Sequence, residues 1–330
     1  MTAPPTPRLY PAFSPSEMAR RRRAVQAVMA EHGVDYLVVY GANRFGSAVQ
    51  WLCGWPVTQE AALLVAPGER DLLLVQFYNH VPNARELAPD AEVRWGGPST
   101  FTELTVELGR RGPGRVGFVG PLTYRGHAEL AALVGELSDL NPDYIDLRLI
   151  KSAEEIAWLR LGAELSDRTI EAIRSEARPG ITELDLAALV EGAYLAAGGT
   201  NHIHYFGVTS MEDPSRCVPA QYPSSRPLRP GDVLFVEISA SYWGYPGQVL
   251  RSFTIGADPS PLYRELHEVA DAAFDAVVAC LRDGTRPQEV IEAASVIEEA
   301  GFTIYDDLVH GFGGGYLPPV LGTRSRPGGP

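Results

Sequence analysis

Positive charge is scarce in this sequence. Lys and Arg number 28 against 41 Asp and Glu, a formal net charge of −13 over 330 residues. Phosphate binding needs clustered Lys and Arg, so nucleic acid is excluded as an expected partner. One dense basic run exists, ARRRR at 19–23, and it reads as the solvated face of an amphipathic helix. Cysteine is also sparse. Cys53, Cys217 and Cys280 are widely spaced and form no CxxC pair, which excludes a zinc knuckle and a disulfide framework. Reduced thiols in a cytoplasmic protein are the simplest expectation. No apolar run reaches the roughly 18 residues that cross a bilayer, so no membrane is expected. The N-terminal stretch has no apolar segment after its charges and does not read as a signal peptide.

Apolar residues are plentiful, at 45%. The length suggests two domains, each with its own core. Residues 1–15 are Pro-rich and read as an arm. SEMARRRRAVQAVMAEHG reads as a helix capped by Ser16 and ended by Gly33, and VDYLVVYG as a buried strand. EAALLVAPGERDLLLVQ reads as two strands turning at Pro67-Gly68. STFTELTVELGRRG reads as a helix and RVGFVG as a strand. HAELAALVGELSDL reads as a further helix, followed by YIDLRLI. Helices alternating with strands predict an α/β domain ending near residue 150.

The second half opens on a long helix with Ala157, Leu161, Ala163, Leu165 and Ile170 at helical spacing, stopped by Pro179-Gly180. Thr182 with Asp185 reads as the capping box of the next helix, closed by Gly198-Gly199. Residues 231–256, GDVLFVEISASYWGYPGQVLRSFTIG, read as two strands around the bend YWGYPGQ. SPLYRELHEVADAAFDAVVACLRDG and RPQEVIEAASVIEEAG read as two more helices, and LGTRSRPGGP as a polar tail.

This order, closed by HGFGGGYLPP, resembles the creatinase/prolidase/aminopeptidase P family, the M24 peptidase-like group. Gly244, Tyr245, Arg251, Phe253 and Gly256 fall in step with its strand motif. The resemblance implies an α/β creatinase-type N-terminal domain over 1–150, then an α+β pita-bread domain over 151–330. It implies two aspartates, a histidine and two glutamates around a pair of metal ions. Here Glu237 and Gln248 take the aspartate positions and His310 the histidine position. The glutamates would follow His310 on later strands, so the pita-bread domain is expected to be C-terminally truncated. One histidine slot of the family holds Ala220 or Gln221, and the region of a second, after the HGFG segment, reads YLPP with Leu317 close to the slot.

Two divalent ions held close together need anionic bridges. Gln248 is neutral, so no dinuclear centre and no cofactor is expected. A single Mn or Zn ion held by Glu237 and His310 stays open. His310, His202 and His204 are the candidate catalytic groups, since imidazole suits proton transfer near neutrality. His202 and His204 are read as pointing to opposite faces of a strand, so that one meets a pocket. Tyr245, Arg251 and Tyr316 are the candidate substrate contacts.

The plainer alternatives are a buried Glu237 paired with Arg251 and a satisfied core amide at Gln248. Tyr205, Phe206, Tyr242, Trp243, Tyr245 and Tyr316 line a small pocket or are simply core. The expected function is hydrolysis of a C–N bond in a small molecule or short peptide. The alternatives are an Xaa-Pro metallopeptidase with an altered site and a non-catalytic homologue that binds a small molecule. The resemblance also implies a homodimer, with the apolar WLCGWPV stretch, 51–57, covering a neighbour's cleft.

Overall fold

Pro15 presets the first turn of α1, Pro15–His32, and the Ser14 side chain accepts from the Glu17 N–H at 3.1 Å. Ser14 therefore caps the helix, and Ser16 lies inside it. Gly33 ends it at φ 62°. In this computed structural model of the chain, residues 10–42, 48–313 and 315–327 are described. Most of the Pro-rich arm, to residue 9, lies outside them, as do Gly314 and the last three residues of the tail. The described chain forms two compact units, Met1–Glu154 and Glu155–Pro330.

In the first unit α1 is followed by β1 (Tyr36–Ala42), α2 (Ala48–Cys53), β2 (Glu60–Val65), β3 (Leu72–Val75), α3 (Val81–Leu87) and β4 (Glu92–Trp95). Then come α4 (Thr100–Arg111), β5 (Arg115–Val119), α5 (Tyr124–Leu133), β6 (Glu136–Asp139) and α6 (Asn141–Leu149). The strands form one mixed sheet in the order β4-β3-β2-β1-β5-β6. Alternation along β1 sends Leu37 and Val39 to one core and Val38 to the other, so both faces are covered.

Three expectations change here. The segment after Leu133 does not continue as helix. Glu136–Asp139 pairs in parallel with β5, and Gly135 permits the turn because a Cβ there would lie 2.9 Å from the Gly114 carbonyl oxygen. YIDLRLI lies in α6. The basic run is not wholly solvated either. Arg21 is fully buried, 2.6 Å from Glu17 Oε1 and 3.0 Å from the Trp51 carbonyl, because a buried guanidinium persists only when its hydrogen bonds are filled. WLCGWPV is not an exposed patch. Trp51, Leu52, Trp55 and Val57 are buried in this unit's own core.

The second unit begins in α7, Ala153–Glu176, followed by α8, Glu183–Leu195, whose Thr182–Asp185 capping box is formed. Strands β7 (Thr200–Ser210), β8 (Asp232–Tyr242) and β9 (Tyr245–Ile255) make an antiparallel sheet with β8 in the centre. One face of β8 sends Leu234, Val236, Ile238 and Ala240 into a core shared with Leu165 and Ile173 of α7 and Leu186 and Val190 of α8. Helix α9 (Pro261–Cys280) follows. The last predicted helix is two, α10 (Pro287–Ala293) and α11 (Val296–Glu299), with Ala294 and Ile297 both turned into a second core. β10 (Val309–Phe312) and β11 (Tyr316–Leu321) close the unit as an antiparallel pair.

Candidate active site

Residues 237, 239 and 241 of β8 face away from the helix-covered core. Across the hairpin Ser239 pairs with Gln248, which places Gln248 on the same face as Glu237. There the Gln248 Nε2 donates to Glu237 Oε1 at 2.8 Å, and Gln248 Oε1 lies 2.8 Å from His310 Nε2 on β10. The structure thus brings Glu237, Gln248 and His310 together through consecutive hydrogen bonds. Gln248 is exposed, so it is not a core amide. The amide assigns the ring proton. Its nitrogen serves the carboxylate, so its oxygen faces the imidazole and must accept from Nε2–H. The other ring nitrogen, Nδ1, lies 3.1 Å from the Gly311 carbonyl.

Burial pushes the Glu237 carboxyl up from its ordinary value. Asp306 adds to this, the Gln248 bond and His310 oppose it, and Asp307 adds further. Burial and then Asp307 raise Asp306 in turn. The two acids of IYDDLVH therefore belong to the site's surroundings, and sequence reasoning missed them. Their only sequence signal was two carboxylates three and four residues before His310. Ser239 was also missed. It is fully buried on the Glu237 face, and its hydroxyl finds no hydrogen-bond partner among the described residues.

Other expected residues lie elsewhere. Tyr245 pairs with Tyr242, and Arg251 with Val236, on the face opposite Gln248. Tyr245 is buried, its hydroxyl donates to Glu155 Oε1 at 2.9 Å, and its ring meets Trp158 edge-on. It anchors the hairpin to α7. Arg251 is exposed and donates to the Leu250 carbonyl, so the Glu237–Arg251 pair does not form. Phe206 is core. Tyr316 does reach the group, stacked on the His310 ring at 4.3 Å and 20°.

A regular strand would turn His202 and His204 to one face, since its period is two. The register shift between Thr200 and Ile203 separates them instead. His202 meets Phe312 edge-on at 5.5 Å, beside His310, whereas His204 lies 3.4 Å from Glu191 on α8. Burial lowers the ring pKa of both, and Glu191 opposes it at His204.

An α/β domain followed by antiparallel strands and helices arranged in this way is the creatinase-type domain plus pita-bread domain of a hydrolase family. The family model "Metallopeptidase family M24" matches residues 157–323, and "Creatinase/Prolidase N-terminal domain" matches 21–150. The chain belongs to metallopeptidase family M24. It is 26% identical over 260 residues to the Bacillus subtilis peptidase YqhT, whose own activity is uncharacterized, covering 78% of this chain and 71% of that one. It is 26% identical over 183 residues to the Xaa-Pro dipeptidase of Pyrococcus furiosus, covering 55% of this chain and 51% of the relative. The chain thus spans about half the length of that relative. Its fold is similar to the Xaa-Pro dipeptidase of Bacillus anthracis, with TM-score 0.77 and 21% identity over 93% of this chain and 85% of that one. It is equally similar to the Pyrococcus horikoshii prolidase, with TM-score 0.78 and 20% identity over 92% and 86%. At these identities the likeness is one of fold.

The family name implies metal, and the donor set here does not fit a pair of ions. At the three positions of the motif it offers one carboxylate, one imidazole and a neutral amide already bonded at both ends. Among the described residues no group of three or more His, Cys, Asp or Glu is placed to hold a metal ion. Two divalent ions close together require anionic bridging ligands, which an amide is not. A single Mn or Zn ion is compatible with Glu237 and His310 if the Gln248 bridge opens. Among the described residues no helix is long and apolar enough to cross a membrane.

Proposed function

We propose that this chain hydrolyses a C–N bond of a small amide or short peptide without a dinuclear metal centre. The observation that carries the reading is the Gln248 amide, which ties Glu237 to His310 where the motif resemblance implies a metal-binding aspartate. Glu237 takes a proton from the attacking water. The imidazolium of His310 has an acceptor for each N–H, Gln248 Oε1 and the Gly311 carbonyl. It gives the Nε2 proton to the leaving nitrogen and becomes neutral. The C–N bond breaks as the C–O bond forms, and acid and amine are the products. His202, beside Phe312, borders the site, and His204 has no part in this reading. A cytoplasmic homodimer belongs to the same proposal and rests on the resemblance alone, since the buried WLCGWPV segment does not support it.

The test is activity against a panel of small amides and dipeptides after chelation, with metal quantified in the same sample. Turnover by metal-poor protein, reduced roughly a hundredfold in His310→Ala, supports the reading. Xaa-Pro cleavage that returns only with two Mn or Zn ions per chain overturns it in favour of a metallopeptidase. No turnover under either condition overturns it in favour of a small-molecule binder.

A further inference from the structure

The strand pair that carries His310 is irregular. Val309 pairs with Leu321 and His310 with Val320, but Gly311 then pairs with Leu317 and Phe312 with Tyr316. Pro318 and Pro319 are left over on β11. Neither proline has an N–H to give a ladder, so the extra residues loop out where two prolines fall. The β10 strand accommodates the loop only because residue 311 is glycine. A Cβ there would run into the Pro318 carbonyl. A bulge re-aims the side chains beyond it. Beyond this one stands Tyr316, whose ring lies parallel on His310 with centroids 4.3 Å apart.

The hydrogen bonds of His310 leave one freedom. Gln248 and the Gly311 carbonyl meet the ring at its edge and fix its two nitrogens, but neither blocks a face. Phe312 meets the ring only at a tilt, 56° at 5.6 Å. Tyr316 covers a face outright. Tyr316 is itself half exposed, so the contact is not forced by core packing, and its hydroxyl is hydrogen-bonded to Asp307.

We propose that Tyr316, aimed by the Pro318–Pro319 bulge, is a positioning residue that holds the His310 imidazole in the plane of its Gln248 bond. This rests on the reading of His310 as the proton-transfer group. It assigns Tyr316 to the histidine rather than to the substrate, and it gives the YLPP segment a role.

Two readouts test it. In protein labelled at its histidines, the His310 ring protons, assigned by loss in His310→Ala, resonate upfield because they lie over an aromatic face. Tyr316→Leu moves them downfield, and Tyr316→Phe leaves them in place. In turnover, Tyr316→Leu lowers kcat between about ten- and a hundredfold with little change in KM, and Tyr316→Phe restores most of it. His310 resonances unmoved by Tyr316→Leu overturn the proposal. So does a raised KM with kcat intact, which makes Tyr316 a substrate contact. If the parent protein turns over nothing, the hydrolase reading fails while the resonance positions still decide whether Tyr316 holds the ring.

Discussion

Gly162 of α7 and Gly247 of β9 meet backbone to backbone. A Cβ on Gly162 would lie 2.8 Å from the Gly247 nitrogen, and one on Gly247 would lie 2.7 Å from the Gly162 carbonyl carbon. Beside them Ser166 Oγ accepts from the Ala240 N–H at 2.9 Å and donates to the Gly247 carbonyl. The helix is thereby fixed to the hairpin one residue before Gln248. Gly247→Ala is expected to cost about 1–3 kcal/mol through overpacking. It should also disturb the Gln248 bridge. Urea denaturation checks the first effect and residual turnover the second. Unchanged stability would remove this contact from the account of how the site is held.

Replacing the amide by an acid should change what the site binds. Gln248→Asp restores a second carboxylate beside Glu237, and carboxylates favour divalent cations by neutralising their charge. Mn and Zn affinity, read by calorimetry, should rise at least tenfold over the parent. The shorter side chain also severs the link to His310, so metal-free turnover should fall. Equal affinities in the two proteins would count against charge as the reason the site does not fit a metal pair.

Asp232 opens β8 and is nearly inaccessible to solvent. Burial raises its carboxyl, but the Arg226 fork at 2.8 Å to each oxygen and the Arg229 N–H outweigh it, so the net shift is downward. A carboxyl depressed on folding contributes stability that is present above its unfolded value, about 3.9, and is lost as pH falls through the lower folded value. Arg226→Ala leaves a buried charge without its partner and is expected to cost about 3 kcal/mol at pH 7. The difference from the parent should narrow at an acid pH below the lowered folded value, where Asp232 takes up a proton. Urea midpoints at the two pH values check this. A constant difference would mean that the loss comes from packing rather than charge.

Thr182 accepts from the Asp185 N–H at 3.2 Å, while Asp185 Oδ2 takes the Thr182 N–H at 2.8 Å. Thr182→Ala should destabilise the second unit by about 1 kcal/mol without touching turnover, because α8 lies on the covered side of the sheet. A thermal melt beside a kinetic assay separates the two effects.

Local chemistry decided much of what the sequence revealed. Gly33 ends α1, Thr182 and Asp185 cap α8, and the glycine of the Pro67-Gly68 turn stands at φ 77° between β2 and β3. Each depends on a residue and its near neighbours, so each is legible in order along the chain. The motif order carried the family for the same reason. Glu237 and Gln248, 11 apart across a tight hairpin, could be placed near one another from spacing alone.

Contacts made at long sequence separation were decided only by the tertiary structure. Glu136–Asp139 became a strand because β5 offered it an edge. Arg21 left the solvated face because Glu17 and the Trp51 carbonyl filled its hydrogen bonds. Tyr245 and Arg251 sit in step with the family motif, yet strand alternation turns them away from Gln248. A register shift at 200–203 separates His202 from His204, and another at 310–311 brings Tyr316 over His310. A strand's side-chain period is only two, so a single irregularity reverses which face a residue meets. Such irregularities are set by the partner strand, which a linear reading does not contain.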